Sequence, residues 1–113
     1  MTTKELLELQ EKLTSEAREI MAAKNHDYAG ASGDTPFANF EACEKLGICS
    51  TEEGILVRLL DKFMRQANFV KSGHFQVKDE GFLDTVKDSI NYEVILAGVM
   101  IQKGRINGES DES

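Results

Sequence analysis

Apolar residues recur along this chain at three- and four-residue spacing in three long stretches, the pattern of helices that each bury one side. In the first, Thr2 and Glu5 have the spacing of a capping box, and Leu6, Leu9, Leu13, Ala17, Ile20 and Met21 follow on one face. Lys4, Glu8, Glu11 and Arg18 take the opposite, solvated face, so the pattern predicts a helix from Thr2 to Lys24. Asn25 to Thr35, NHDYAGASGDT, is rich in Gly, Ser, Asn and Asp and reads as a loop. Pro36 suits the first turn of a short helix capped by Asp34 or Thr35 and closed by Gly47. Phe37, Phe40, Ala42, Cys43 and Leu46 would be its buried positions.

Ser50 and Glu53 make a second capping box, from which a helix runs to about Lys71 before Ser72-Gly73 stops it. HFQVK (74–78) alternates weakly and suggests a short extended connection. The last helix starts near Asp79 and Glu80, buries Leu83, Val86, Ile90 and Val94, and ends near Lys103-Gly104. Long helices joined by brief connections pack antiparallel, so the expected architecture is an all-α bundle of three long helices and one short one. Residues 1–104 form one domain in this reading, and Arg105 to Ser113 a disordered acidic tail. Through VILAGVMI to Ile101 the last helix is apolar nearly all round. Either the first and third helices cover it, or a second copy does; the reading favours a homo-oligomer.

Totals narrow the field. A chain of 113 residues has room for one core, and 41% hydrophobic with 29% charged residues is ordinary for a globular protein. A net charge of −7 argues against binding to nucleic acid, which needs clustered Lys and Arg. The N-terminal stretch is charged throughout, unlike a signal peptide, and the longest apolar run is far short of a membrane span, so a cytoplasmic protein is expected. Cys43 and Cys49 read as reduced, buried thiols without a redox or metal role. No serine, cysteine and histidine fall into a nucleophilic arrangement, and His74 reads as a surface residue.

The candidate chemistry lies in two polar stripes. At about 100° per residue, Arg58, Asp61, Arg65 and Asn68 share one side of the third helix, and Glu80, Asp84, Asp88 and Asn91 one side of the last. Acids stacked at four-residue spacing repel one another, which calls for positive charge between them. That charge is either a divalent cation or the basic side chains of the neighbouring helix. In the first case Asp61, Glu80, Asp84 and Asp88 hold Mg²⁺ or Mn²⁺, which would neutralise a polyphosphate and lower the pKa of an attacking water. Lys62 and Arg65 would then meet phosphate oxygens, with Asn91 orienting a carboxylate or water. In the second case Arg58, Lys62 and Arg65 bridge to Asp84, Asp88 and Glu80 as a plain ion-pair network. His26, Asp27, Tyr28 and Asn39, with Phe37 and Phe40, read either as a lid and nucleobase pocket or as a capped turn beside ordinary core.

The segments KNHDYAG, DTPFANF, GILVRLLDKFMRQAN and VKDEGFLDTVKDSINYEVIL resemble a family of small, mostly phage-borne proteins called nucleotide-modification-associated or MazG-like. The resemblance covers roughly Lys24 to Leu96. More widely it is to the all-α nucleoside triphosphate pyrophosphohydrolases, which include MazG and the all-α dUTPases and dCTPases. It implies a helical bundle, usually dimeric or tetrameric, and Mg²⁺-dependent cleavage of a (deoxy)nucleoside triphosphate to monophosphate and pyrophosphate. That superfamily carries Glu-x-x-Glu on one helix and Glu-x-x-Asp on the next. Asp88 resembles the acid ending the second motif and Asp61 the acid ending the first. Arg58 and Thr85 stand where glutamates are expected, with Asp84 one turn before Asp88 as a substitute. Asp61, Asp84 and Asp88 are therefore the candidate catalytic acids, Glu80 a further metal ligand, and His26, Tyr28, Asn39, Lys62, Arg65 and Asn91 the candidate substrate contacts. A non-catalytic nucleotide-binding or sequestering protein, or an acidic protein that binds a host factor, are the competing expectations.

Overall fold

The computed structural model describes residues 1–28, 36–74 and 81–109, with the side chains of 25–28 outside that description. These residues are all-helical: α1 (Thr3–Tyr28), the short α2 (Ala42–Lys45), α3 (Thr51–Ser72) and α4 (Phe82–Gln102). Three long helices and one short one are the expected architecture. None is long and apolar enough to cross a membrane.

Local signals set most of the boundaries. Ser50 accepts from the Glu53 amide at 3.1 Å while Glu53 accepts from the Ser50 amide at 3.0 Å, so both arms of the second capping box form. At the other end Gly73 adopts φ +82°, and its amide donates to the Phe69 carbonyl. Two boundaries differ from the reading above. α1 continues four residues past Lys24 to Tyr28; Asn, His and Asp each cost a helix only a few tenths of a kcal/mol, too little to end one without glycine or proline. α4 starts at Phe82, later than Asp79, with the Asp84 carboxylate accepting from the Gly81 amide at 3.1 Å. The short helix is also briefer than expected, a turn through Phe37–Glu41 preceding the four residues of α2.

α4 is the shared element: α1 and α3 both pack on it, and among the described residues their backbones do not come close to one another. Contacts between α3 and α4 run in opposite directions along the two helices, from Phe69 with Phe82, through Lys62 with Asp88, to Glu52 with Lys103, so this pair is antiparallel. The core is small, formed by Phe40, Ile55, Leu59 and Val99 with Phe37, Tyr92, Ile95 and Leu96 against it. Leu13 and Ala17 are the buried residues of α1. Leu83 and Val94, expected to be buried, are about half exposed; Thr85, Asn91 and Val99 are buried instead, because α4 is gripped from two sides. Leu6 and Leu46 are likewise exposed.

Two glycines admit close neighbours. A Cβ on Gly54 would stand 2.8 Å from Cys43 Sγ, and one on Gly98 would stand 2.8 Å from Phe37 Cζ. Cys43 and Cys49 are free, half-buried thiols. Their contact, together with burial, pushes the Cys49 thiol pKa up. The tail expected from Arg105 onward is anchored at its start, where Arg105 reaches Glu52 at 3.2 Å; residues 110–113 lie outside the described part.

Candidate nucleotide-binding cleft

Because α1 and α3 stand apart on α4, a cavity of about 490 Å³ opens between them. α4 provides its floor with Asp88, Asn91, Tyr92 and Ile95, α1 one wall with Arg18, Met21 and Lys24, and Phe37, Phe40 and Arg58 the other. The floor follows from spacing: positions 88, 91, 92 and 95 repeat at three and four residues and so share one side of a helix.

The aromatic groups are interlocked. Tyr92 meets Phe40 edge to face, with ring centroids 6.3 Å apart and planes at 84°. The Arg58 guanidinium lies over the Phe40 ring, 4.6 Å from its centroid. Phe37 rests against Gly98, whose bare Cα lets the ring approach α4. One side of the cavity is thus an aromatic wall carrying a fixed positive charge.

The polar floor is neutralised from both sides. Asp88, 24% exposed, pairs with Lys62 of α3 at 3.1 Å and with Lys24 of α1 at 3.8 Å. Asn91, 9% exposed, donates from Nδ2 to the Ala17 carbonyl at 2.8 Å. Among the described residues the lining carries Arg18, Lys24 and Arg58 against the carboxylate of Asp88, a local cationic excess in a chain of net charge −7.

The expected site residues do not all gather here. Asp88 and Asn91 line the cavity, and Lys62 reaches Asp88 from behind. Asp61 does not: its side chain is 59% exposed and pairs with Arg65 one turn along α3 at 3.2 Å. The reason is geometric, since neighbours on a helix diverge by about 100° and Lys62 is the one that faces α4. Asp84, 57% exposed, closes the start of α4 and pairs with Lys87 at 3.5 Å. Asn39 is exposed and away from the lining. Glu80 and the side chains of His26, Asp27 and Tyr28 lie outside the described residues. Among the described residues no three His, Cys, Asp or Glu side chains come together as a metal-holding group. A lone carboxylate between two lysines does not fit Mg²⁺, which takes several oxygens, and no step through a metal follows from this arrangement. The positive charge that the aligned acids call for is supplied, for Asp84 and Asp88, by lysines.

Arg18, Lys24 and Tyr92 are cavity residues that the pattern of the sequence did not mark. Tyr92 was within reach of it, lying one turn after Asp88. Arg18 was not, because periodicity places it on a solvated face and says nothing of which helix lies opposite. Lys24, three residues after Met21 and four after Ile20, continues the apolar face of α1 and was legible as a cation at its end.

A second charged cluster sits at the far end of α4. Lys103 Nζ donates to Glu44 at 2.7 Å and to Glu52 at 2.6 Å, and Arg105 adds a bond to Glu52 at 3.2 Å. The Lys103 hydrogen bonds hold both glutamates below the usual carboxylate range, helped by the Thr51 amide at Glu44 and by backbone and Arg105 bonds at Glu52. The same contacts raise Lys103.

Comparison with protein families, with curated proteins and with solved structures finds no match to this chain.

Proposed function

We propose that the cleft between α1 and α3 binds a nucleotide, its base against Phe37, Phe40 and Tyr92 and its phosphates toward Arg18, Lys24 and Arg58. One observation carries this reading: an aromatic wall and a cationic excess meet in one cavity of a strongly acidic chain. A purely apolar ligand gains nothing from the three cations, and a purely anionic one nothing from the aromatic wall. A cavity of about 490 Å³ is in the range of small-molecule and cofactor sites. Asp88 costs little to an anionic ligand because Lys24 and Lys62 already neutralise it. The working unit in this proposal is a homo-oligomer.

The test is calorimetric titration with a panel of ribo- and deoxynucleoside mono- and triphosphates in EDTA. Binding at micromolar concentration that is lost in Arg58→Ala supports the proposal. A folded protein that takes up none of the panel at millimolar concentration rejects it.

Mg²⁺-dependent pyrophosphohydrolysis is the second reading. It is favoured by the position of Asp88, which of the expected acids is the one that reaches the cavity lining among the described residues. It requires further oxygen ligands at Asp88. Pyrophosphate released from a triphosphate with Mg²⁺ or Mn²⁺, and abolished in Asp88→Ala, would select it over binding alone.

A further inference from the structure

The outer face of α3 is apolar and, among the described residues, uncovered. Glu53, Val57, Leu60, Met64, Ala67 and Lys71 follow one another at alternating four- and three-residue spacing, the repeat of a helix that pairs lengthwise with another. Leu56, Phe63 and Val70, seven residues apart, run along its edge. Leu56, Val57, Leu60, Phe63, Met64 and Val70 are each half or more exposed. So much contiguous apolar surface on one helix marks an interaction face.

We infer that this face pairs with the same face of a second copy, the two α3 helices lying antiparallel about the level of residue 62. The charges at its ends carry that choice. Glu53, one carboxylate oxygen of which accepts from the Ser50 amide in the capping box, is the charged residue at the amino end of the stripe, and Lys71 is the one at the carboxyl end. Only apolar residues lie between them, and Lys71→Glu therefore tests the pair without touching the cap. The spacing reads the same from either end, so reversing one copy sets Val57 against Ala67, Leu60 against Met64 and Glu53 against Lys71, each twice. Parallel pairing would instead place Glu53 beside Glu53 and Lys71 beside Lys71. Antiparallel alignment also opposes the two helix dipoles favourably. The rise from Glu53 to Lys71 gives a contact of roughly 27 Å, and the exposed apolar groups offer on the order of 600 Å² per copy. A standard interface takes about 800 Å² per partner, and the flanking polar residues supply the remainder. No residue of the stripe lines the cleft, so this inference and the proposed nucleotide binding can fail independently.

Sedimentation equilibrium over a range of concentrations tests it. Wild type is expected as a dimer and Leu60→Asp as a monomer of unchanged helical content. Lys71→Glu and Glu53→Lys are each expected to dimerise roughly tenfold more weakly, two exposed attractions becoming repulsions. Mixed one to one, these two variants recover the affinity, since the new lysine of one copy then meets the new glutamate of the other. A wild-type monomer at all concentrations overturns the inference, as does an assembly indifferent to Leu60→Asp. A dimer unaffected by either single charge reversal overturns the antiparallel register. Should Leu60→Asp unfold, the two charge variants and their mixture decide the matter.

Discussion

The two charged clusters on α4 are built from the same side-chain types and differ in balance and in opening. At the carboxyl end, two glutamates meet one lysine and one arginine, with bonds of 2.6 to 3.2 Å. In the cleft, one aspartate is held at 3.1 and 3.8 Å by two lysines, with two arginines nearby and about 490 Å³ in front of them. The first cluster is satisfied within the chain and ties α2, α3 and the start of the tail to α4. The second has more positive charge than its own carboxylate can use. A charged group that is closely paired argues for structure; one left in surplus at the edge of a cavity argues for a ligand.

The sharpest way to break that comparison is to remove one cation from each cluster. Arg58→Ala is expected to weaken nucleotide binding by roughly 10- to 100-fold, the worth of a charge-assisted contact, with little change in melting temperature, as read by calorimetry and thermal unfolding. Lys103→Met should do the reverse, lowering the melting temperature by several degrees and leaving affinity unchanged. A Lys103→Met protein that lost nucleotide and kept its stability would invert the assignment of the two clusters.

Acid provides a second contrast. Glu44 and Glu52 are depressed chiefly by Lys103, so their contribution is complete above the ordinary carboxylate pKa of about 4.3 and disappears as pH falls through their lower folded values. Lys103 is raised, so its contribution is complete below about 10.4 and is lost as pH climbs through the higher folded value. Melting temperature measured between pH 2.5 and 5 should therefore fall more steeply in wild type than in Lys103→Met.

Smaller effects refine the picture. Gly98→Ala puts a methyl where Phe37 Cζ stands at 2.8 Å, so the ring must swing into the cavity. Affinity is expected to drop about fivefold, while the gain of about 1 kcal/mol in helix propensity offsets the displaced ring. At the start of α3, Thr51 Oγ1 is buried without a hydrogen-bond partner among the described residues. Thr51→Val should raise stability by about 1 kcal/mol in denaturant unfolding, and binding should not respond.

Much of the fold was legible because its signals are local. The Ser50–Glu53 box, Gly73 beyond α3 and Gly104 beyond α4 fixed ends without reference to any neighbour. The site was less so, because a stripe on a helix gives an angle and not a partner. Asp61 and Asp88 both lie at the edge of an apolar face, yet one points to solvent and the other to a lysine of the facing helix. Asn91 was legible as part of a polar stripe, but its bond to the Ala17 carbonyl depends on where α1 crosses. Arg58 was read against acids and instead covers Phe40, a contact set by the turn ahead of α2.

With α1 and α3 seated on a common helix, the gap between them is bridged at Asp88, which meets Lys24 on one side and Lys62 on the other. α1 is held to α4 by the Asn91 amide on Ala17 and by Lys87 on Glu16. A tilt of α1 would therefore loosen the Lys24–Asp88 pair at 3.8 Å and leave Lys62 on the same carboxylate at 3.1 Å. A guest of the proposed cleft would then be admitted by a tilt of α1 that leaves the α3–α4 contacts in place. Amide exchange should accordingly be faster along α1 than along the inner turns of α3, and should slow on α1 when the gap is filled.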